Sequence, residues 1–295
     1  MKNNITMRNI AKAAGVSLAT VSRAMHNTGY VTEEKRRLIF DTAQKENLNI
    51  LTFPVDELTN QTLLQTIPIA RKANPVGIII IGSMDEEPDP QLNALLHDSP
   101  IPIICIGHTS NYYNFNRIIV DNTKGVYLAT QHLLKRGHKS LLYVSSLSLG
   151  QFVMQERLNG FTAALSSSSD PDVRHQILQL SESNTEVFDA PHIYQSFKRI
   201  FEKNPDITGI VNWSDGLAAI ELQCLYDMKI PVPKQVEIIG FDDILTPYLA
   251  PPLSSIQMPY NEMADSALQI VADCRRSSSL PLTKTIVLIP KLMIR

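Results

Sequence analysis

A short polar and basic stretch near the N-terminus carries residues whose types and spacing could do recognition chemistry. At helical spacing, Val21 and Met25 face one side, and the opposite side presents Leu18, Ala19, Thr20, Ser22, Arg23 and His26. Such a face fits the DNA major groove, because an arginine can bond guanine bidentately and apolar groups can contact a thymine methyl. Hydroxyls and the helix N-terminus would hold phosphates. The stretch predicts a base-reading helix.

The surrounding residues predict the helices that would position it. Ala11 is small enough for two helices to cross closely, Gly15 is free to turn, and Val21 provides an apolar plug. Ser17 can cap the second helix. This pattern alone also fits an ordinary pair of core helices. The capping signal at residues 31–34 and a third amphipathic helix after it favour a complete three-helix DNA-binding domain.

The N-terminal region resembles the headpiece of the lactose/galactose repressor (LacI/GalR) family. The resemblance spans residues 5–49 and includes Ala14-Gly15-Val16-Ser17, Thr20-Val21-Ser22-Arg23 and Leu48-Asn49, with Asn9 where the family usually has an acid. It implies that Leu18, Ala19 and Arg23 read bases. It also implies that the DNA backbone is held by Thr6, Ser17, Thr20, Ser22, Tyr30 and Thr32.

Length, charge and cysteine usage narrow the class of protein. The chain has 295 residues, 44% of them hydrophobic, which is enough for a large core and two or three folding units. Residues 1–49 hold eight Lys or Arg against four acids, whereas the rest of the chain is acidic. A basic headpiece on an acidic body suits salt-sensitive phosphate binding at one end. Without a signal peptide or an apolar run of spanning length, we expect a cytoplasmic protein with no membrane contact.

From Ile50 onward, continuous apolar runs alternate with segments of helical period, which predicts an α/β body with parallel sheets. Strands are predicted at 76–82, 101–106, 140–144, 207–211 and 236–240. Helices are predicted near 59–73, 90–98, 123–136, 151–168, 190–203, 215–229 and 259–275. Cys105, Cys224 and Cys274 lie far apart in apolar or helical surroundings, which favours buried free thiols over metal ligands or disulfides.

The family resemblance continues through this body and implies a two-lobed, periplasmic-binding-protein-like sensor that closes on a small, sugar-type effector. It includes Arg157-Leu158-Asn159-Gly160-Phe161, Ser214-Asp215 and Gly240-Phe241-Asp242-Asp243. Arg157 and Asp242 are the leading effector contacts, because a guanidinium fork and a carboxylate can bond neighbouring sugar hydroxyls. Asp121 and Ser214 come next, and Asp215 is expected to cap the following helix instead. The structural alternatives are that an Asp after a strand caps a loop and that an Arg on a helix forms a surface ion pair.

An enzyme is the alternative class to weigh, since Asp242-Asp243 could be mistaken for a catalytic pair of carboxylates. Adjacent residues usually point apart, and no nucleophile elbow, P-loop or zinc-ligand pattern accompanies them. We therefore expect no catalytic residue, no metal site and no cofactor.

One segment of the family pattern is missing from this chain. Leu48-Asn49 runs directly into residues 50–56, which resemble the second strand of the sensor. A hinge and the first strand and helix, together on the order of 40 residues, are absent. In a sheet of order 2-1-3-4-5 that loss leaves a gap between the second and third strands. The family homodimer and the headpiece's coupling to the sensor are therefore in doubt.

The predicted organisation is a headpiece at 1–49 and a sensor at 50–295. Lobe one would comprise about 50–141 and 256–283, and lobe two about 142–255 and 284–295. The predicted function is a sequence-specific transcriptional regulator, by family a repressor, with operator DNA and a sugar-type effector as partners. The alternative is a shortened member that binds a small molecule or partner with weak or no operator binding.

Overall fold

The structure is a computed structural model that describes most of the chain beyond residue 50. It covers Ala11, Ala14, Thr20 and Val21, then 51–54, 58–82, 87, 89–107, 113, 115–146, 151–180, 189–276 and 283–295, with backbone alone at 146, 151, 275 and 276. These residues form two compact units. The first comprises the described residues of Met1–Ile119 with Pro259–Leu288, and the second comprises Val120–Met258 with Ile289–Arg295.

The first unit is built on a four-stranded sheet of order β1-β2-β3-β9. Its strands are β1 (Ile78–Ile81), β2 (Ile103–Ile106), β3 (Asn116–Val120) and β9 (Thr285–Leu288), and its helices are α1 (Asn60–Arg71), α2 (Pro90–His97) and α7 (Tyr260–Arg276). Neighbours β1, β2 and β3 are parallel. Side chains from α1, α2 and the sheet form one buried cluster that includes Leu63, Leu92 and Ile103.

The second unit is built on a six-stranded sheet of order β10-β8-β7-β6-β4-β5. Its strands are β4 (Ser140–Ser146), β5 (Arg174–Leu180), β6 (Gly209–Asn212), β7 (Glu237–Asp242), β8 (Ser254–Gln257) and β10 (Lys291–Met293). Its helices are α3 (Asn122–Lys135), α4 (Gln151–Ser166), α5 (Ala190–Lys203) and α6 (Asp215–Asp227). All neighbours are parallel except β10, which runs antiparallel to β8. Two apolar clusters pack on this sheet.

The two sheets differ in completeness. In the second sheet, β5-β4-β6-β7-β8 has the full 2-1-3-4-5 order of a doubly wound fold. In the first sheet, β1-β2-β3 corresponds to the third, fourth and fifth strands of that order. No described residue pairs with the outer edge of β1, where the first strand would lie. This matches the predicted absence of the first strand.

The resemblance of residues 50–56 to a second strand is not matched by a strand in the part that the structure describes. Residues 51–54 have no regular secondary structure, and Leu51 and Phe53 are exposed. In the 2-1-3-4-5 order the second strand pairs with the first strand alone, so without the first strand it has no ladder partner. The sheet therefore begins at β1 and does not hold two strands apart across a gap.

The seven helices and five strands predicted in the body are all present, with ends shifted by a few residues. The lobe boundaries differ from the prediction, because the chain passes to the second unit at Ile119–Val120 and not near residue 141. The cause is α3, which packs on the second sheet. A Cβ on Gly125 of α3 would lie 3.1 Å from the Phe241 ring and 3.2 Å from Ile256.

A buried carboxylate joins α3 to the amino-terminal end of β7. Glu237 accepts hydrogen bonds from Arg136 (2.7 Å) and lies 3.0 Å from His132 and 3.1 Å from His138. Burial opposes ionisation, but His138, His132 and Arg136 outweigh it and hold the pKa of Glu237 at about 2.

Cys105 and Cys224 are buried free thiols as predicted, and Cys274 is half-buried. No helix among the described residues is long and apolar enough to cross a membrane.

Candidate functional site

The candidate site lies at the carboxyl ends of β6 and β7, beside the point where the order of the second sheet reverses. Open α/β sheets bind ligands at such switch points. Arg157 of α4 is buried there, with 7% of its surface exposed. Its Nε donates to Asn122 Oδ1 (3.1 Å), its Nη1 donates to the Trp213 carbonyl, and its guanidinium carbon lies 3.6 Å from the centroid of the Phe241 ring. The guanidinium is thus fixed in place by the protein.

The position of Arg157 depends on a close approach of α3 and α4. A Cβ on Gly160 would lie 2.2 Å from the Thr123 carbonyl oxygen, so only glycine fits there. Thr123 also donates its hydroxyl to the Glu156 carbonyl (3.0 Å), and Asn122 donates to the Glu156 carboxylate (2.9 Å). These contacts lock the first turn of α3 against the turn of α4 that carries Arg157.

Asp242 ends β7 in an unusual backbone conformation. Its φ is 104° and that of Asp243 is 59°, so two non-glycine residues in succession occupy the left-handed side of φ. Such strain persists where surrounding contacts over-determine it, and it concentrates at binding sites. Burial raises the pKa of the Asp242 carboxyl to about 7, with Arg157 lowering it and Asp215 raising it. This carboxyl therefore changes charge near neutral pH.

Asp215 holds the loop that follows Asp242. Its Oδ2 accepts from the backbone amides of Ile244 (2.7 Å), Leu245 (2.9 Å) and Thr246 (3.4 Å), and its Oδ1 accepts from the Ser255 hydroxyl (2.7 Å). The expectation that Asp215 caps α6 is wrong. Ser214 is the cap, since its hydroxyl accepts from the Leu217 amide (3.3 Å). Asp215 lies one residue later, where its carboxylate points toward the loop.

Two of the four predicted effector residues also cap helices. Ser214 caps α6, and Asp121 caps α3 by accepting from the Lys124 amide (2.7 Å). Ser214 lies between β6 and α6, and Asp121 lies between β3 and α3. Each side-chain oxygen therefore lies both after the carboxyl end of a strand and at the N-terminus of the next helix. Arg157, Asp242, Asp121 and Ser214 all belong to the second unit.

Asp242 and Asp243 do not act as a pair. Asp243 accepts from Arg295 (2.6 Å) and from Gln257 (3.0 Å), and its amide donates to Ser255 (3.2 Å). Its carboxylate is therefore tied to β8 and the end of the chain, whereas the pKa of the Asp242 carboxyl is lowered by the charge of Arg157. Within the described ranges, no group of three or more His, Cys, Asp or Glu could hold a metal ion.

The DNA-binding prediction falls mainly outside the described residues. Thr20 is described, as a half-buried helical residue, together with Ala11, Ala14 and Val21, which are helical and buried. The burial of Ala11 and Val21 agrees with their predicted packing roles. The remaining predicted contacts lie outside the described residues: Thr6, Ser17, Leu18, Ala19, Ser22, Arg23, His26, Tyr30 and Thr32.

Phe241, Asn122 and Trp213 were not among the residues singled out for the site. Phe241 supports the guanidinium by its ring, Asn122 by its side-chain amide and Trp213 by its carbonyl. Phe241 stands inside the motif Gly240-Phe241-Asp242-Asp243, and Asn122 directly follows the predicted contact Asp121, so both residue types were visible in the sequence. Their pairing with Arg157 across 35 residues or more was not, because it is a tertiary contact.

The described residues form two α/β units built mainly on parallel strands, and comparisons with known proteins agree with that fold class. Residues 130–295 match the periplasmic binding protein-like domain, and residues 6–47 match the model of bacterial regulatory proteins, lacI family. The chain therefore belongs to the LacI family of bacterial transcriptional regulators.

Among its relatives is the HTH-type transcriptional regulator DegA of Bacillus subtilis, 24% identical over 337 residues that include 98% of this chain and 97% of DegA. That alignment is longer than this whole chain of 295 residues, so it contains positions that this chain lacks. A regulatory protein of the LacI family from Chloroflexus aggregans has a TM-score of 0.70 at 21% identity, covering 94% of this chain and 91% of that one. A LacI-family regulator from Enterococcus faecium, solved with bound ribose, has a TM-score of 0.68 at 19% identity, covering 93% and 91%.

Proposed function

We propose that this chain is a transcriptional repressor whose operator binding is controlled by a sugar-type effector, with Arg157 and Asp242 as its principal effector contacts. The observation that carries the proposal is the fixed guanidinium at the switch point. Arg157 is buried against Phe241 and bonded to Asn122 and to the Trp213 carbonyl, so its guanidinium is held by contacts within the protein. Preorganisation of this kind lowers the entropic cost of binding.

The chemistry of the site suits a polyhydroxylated molecule. Arg157 offers planar N–H donors and Asp242 offers carboxylate oxygens, which together can bond hydroxyls of adjacent ring carbons. Two further oxygens, on Asp121 after β3 and on Ser214 after β6, already accept backbone amides. The ribose bound to the Enterococcus faecium regulator supports the same ligand class.

The operator half of the proposal rests on the N-terminal module. The family match over residues 6–47 supports DNA binding through Arg23 and the neighbouring residues of the predicted reading helix. A single headpiece covers one half-site, so we infer that specific binding needs two copies of the chain.

The first test is a gel-shift titration of the full chain against palindromic DNA at two salt concentrations. Binding should weaken at the higher salt, because phosphate contacts release counterions. Arg23→Ala should weaken specific binding by about 10- to 100-fold, the value of one bidentate base contact. Lys234→Ala removes the same charge from an exposed position in the sensor and should leave affinity unchanged. Equal effects of the two variants, or no specific retardation, would remove the regulator proposal.

The second test is a thermal-shift screen of pentoses, hexoses and disaccharides, with ribose included. A binding sugar should raise the melting temperature by mass action on the native state. Asp242→Asn should reduce the shift, whereas Asp206→Asn, at an exposed carboxylate of the same unit, should not. A sugar that stabilises both variants equally would exclude Asp242 from the site. No stabilising sugar at millimolar concentration would contradict the effector class.

The two experiments also separate the proposal from its alternative. A shortened family member that binds a small molecule without regulating DNA would give a sugar-dependent thermal shift and no specific retardation. A regulator that binds both partners gives a sugar-dependent thermal shift and specific retardation of the DNA.

A further inference from the structure

The outer edge of β1 in the first unit has no strand partner among the described residues. Ile78 donates its amide to the Pro102 carbonyl and Gly82 donates to the Ile106 carbonyl, each at 3.0 Å. Backbone groups of successive strand residues point to opposite sides, so Ile78, Ile80 and Gly82 face β2. The N–H and C=O groups of Ile79 and Ile81 therefore face outward, and no described residue pairs with them.

The residues of β1 themselves include none of the sequence features that normally prevent strand pairing. β1 consists of four isoleucines and carries no charge, proline or bulge, although such devices usually protect exposed edges. The side chains of Ile79 and Ile81 lie on one face of the sheet and are 39% and 48% exposed, whereas Ile80 is buried in the core. Apolar surface and unpaired backbone groups thus occur together on one strand.

We propose that the outer edge of β1 pairs with the same edge of a second copy, as an antiparallel β1–β1 contact about a two-fold axis at Ile80. In this register Ile79 of one copy lies opposite Ile81 of the other. The two residues exchange both of their backbone hydrogen bonds, as directly opposed residues of an antiparallel pair do. The symmetry repeats the exchange, which gives four hydrogen bonds and brings four exposed isoleucines together on one face.

The charges that flank β1 favour the same pairing. The chain before β1 carries Arg71 and Lys72 and no acid back to Asn60, while the chain after it carries Glu87 and Asp89. Antiparallel pairing brings the basic end of each strand to the acidic end of the other. Lys72 and Glu87 are both exposed. A second copy is thus complementary in backbone, apolar surface and charge.

The contact closes after two chains. Each copy has one β1 edge, and symmetric pairing uses it completely, so the product is a dimer and not a filament. The interface is small, so we expect a dimer that dissociates on dilution. Pairing occupies the place of the absent first strand in the sheet order.

Sedimentation velocity of the full chain without DNA or sugar, over a range of protein concentrations, tests the inference. The wild type should shift from monomer to dimer as concentration rises. Ile79→Pro removes an outward-facing amide that β2 does not use, and proline is tolerated at such edge positions. It should raise the dimer dissociation constant at least about tenfold. Val287→Lys, at an exposed position on β9 at the other edge of the sheet, is the matched control and should dimerise like the wild type.

Charge reversal provides a second arm that does not alter the strand. Lys72→Glu and Glu87→Lys should each weaken the dimer, and the double variant should restore it, because the two charges meet across the axis. Circular dichroism of every variant confirms that it is folded. A wild type that stays monomeric, a concentration-dependent filament, or dissociation by Val287→Lys and not by Ile79→Pro would overturn the inference. The experiment contains no DNA or effector, so its outcome is independent of the proposed function.

Discussion

At the scale of single residues, burial raises the pKa values of two described carboxyl groups in the second unit, Asp242 and Glu221, which lie in different surroundings. Asp242 lies at the candidate site beside Arg157, and its pKa is about 7. Glu221 of α6 is completely buried, and burial raises the pKa of its carboxyl to about 8, with the Asn212 hydrogen bond opposing the rise. Both groups exchange a proton close to neutral pH, one where a ligand could bind and one in the core.

The charge on Asp242 should make sugar affinity depend on pH. The ionised carboxylate accepts hydroxyl hydrogen bonds more strongly than the protonated acid, so affinity should rise between pH 6 and 8. Below pH 7 the dissociation constant should increase up to about tenfold per pH unit. Isothermal titration with a sugar found by the thermal screen measures this, and Asp242→Asn should flatten the profile. A wild-type profile that is flat over the same range would exclude an ionised Asp242 as a contact.

The buried carboxyl of Glu221 should lower the free energy of unfolding at neutral pH. Its Oε2 accepts from Asn212 (2.7 Å), but its Oε1 and the Asn212 Oδ1 have no hydrogen-bond partner among the described residues. Because the pKa is raised from 4.5 to about 8, the native state binds more protons than the unfolded state across that window. Stability therefore falls as pH rises through it.

Replacing the Glu221 carboxyl by an amide should remove this loss of stability. Glu221→Gln keeps the shape and adds an N–H donor next to Asn212 Oδ1, so we expect about 1–3 kcal/mol of stabilisation at pH 8. The gain should vanish near pH 4, where Glu221 is protonated in both states. Urea unfolding at the two pH values measures it, with Glu202→Gln at an exposed position of α5 as the control. Destabilisation by Glu221→Gln at pH 8 would show that the native carboxylate is ionised.

At the scale of elements, the helix α4 carries Arg157 into place only because Gly160 lets it approach α3. Alanine is the better helix former by about 1 kcal/mol, so Gly160→Ala would stabilise an isolated helix. Here its Cβ would lie 2.2 Å from the Thr123 carbonyl oxygen and 3.0 Å from the Tyr127 amide, so the helices must separate. We expect a net loss of about 1–3 kcal/mol, as for overpacked cores, together with weaker sugar binding.

Asn159→Ala is the matched control for that change. Asn159 precedes Gly160 on the same helix but is exposed, so its replacement should alter the free energy of unfolding by no more than about 0.5 kcal/mol. Chemical denaturation of both variants provides the comparison. If Gly160→Ala is as stable as the wild type and binds sugar equally well, close helix packing does not position Arg157.

Elements could be predicted from the sequence where their residues are uniformly apolar or clearly amphipathic. The strands β1, β2, β4, β6 and β7 are continuous apolar runs, and all seven helices show helical spacing. The strands β3, β5, β8, β9 and β10 escaped prediction because they are short or polar. β5, for example, reads Arg-His-Gln-Ile-Leu-Gln-Leu and is largely exposed at an edge. Such strands are fixed by ladder partners and not by their own pattern.

The site could be predicted to the level of residue type but not of role. Arg157 and Asp242 stand in recognisable motifs, and the structure places Asp242 at the carboxyl end of β7 and the Arg157 guanidinium against the Phe241 ring. Asp215 has the same position in sequence as a helix cap, yet its carboxylate bonds three amides about 30 residues away. A single residue's shift between Ser214 and Asp215 decides which one caps, and local sequence alone does not encode that choice.

At the scale of the whole molecule, the two units differ in how well their sheets are covered. The second sheet has six strands and a buried cluster on each face. Among the described residues, the first sheet has four strands and an edge at β1 that leaves Ile79 and Ile81 exposed. Unpaired edges and exposed apolar side chains lower local stability. The missing first strand and helix therefore affect the sheet of the first unit and not that of the second.

We expect the first unit to open before the second. In native-state hydrogen exchange at low protein concentration, amides of β1 and β2 should exchange through openings of lower free energy than those of β4, β6 and β7, which lie inside the complete sheet. The outward amides of Ile79 and Ile81 should be unprotected, while Ile80, which faces β2, should show the protection of its ladder. Mass spectrometry with peptide resolution over 76–82, 101–106 and 207–212 measures the order of the two sheets, and amide exchange followed by NMR separates the single amides of Ile79, Ile80 and Ile81. Equal exchange rates in the two sheets, or faster exchange in β6 than in β1, would mean that the missing strand carries no energetic cost for the first unit.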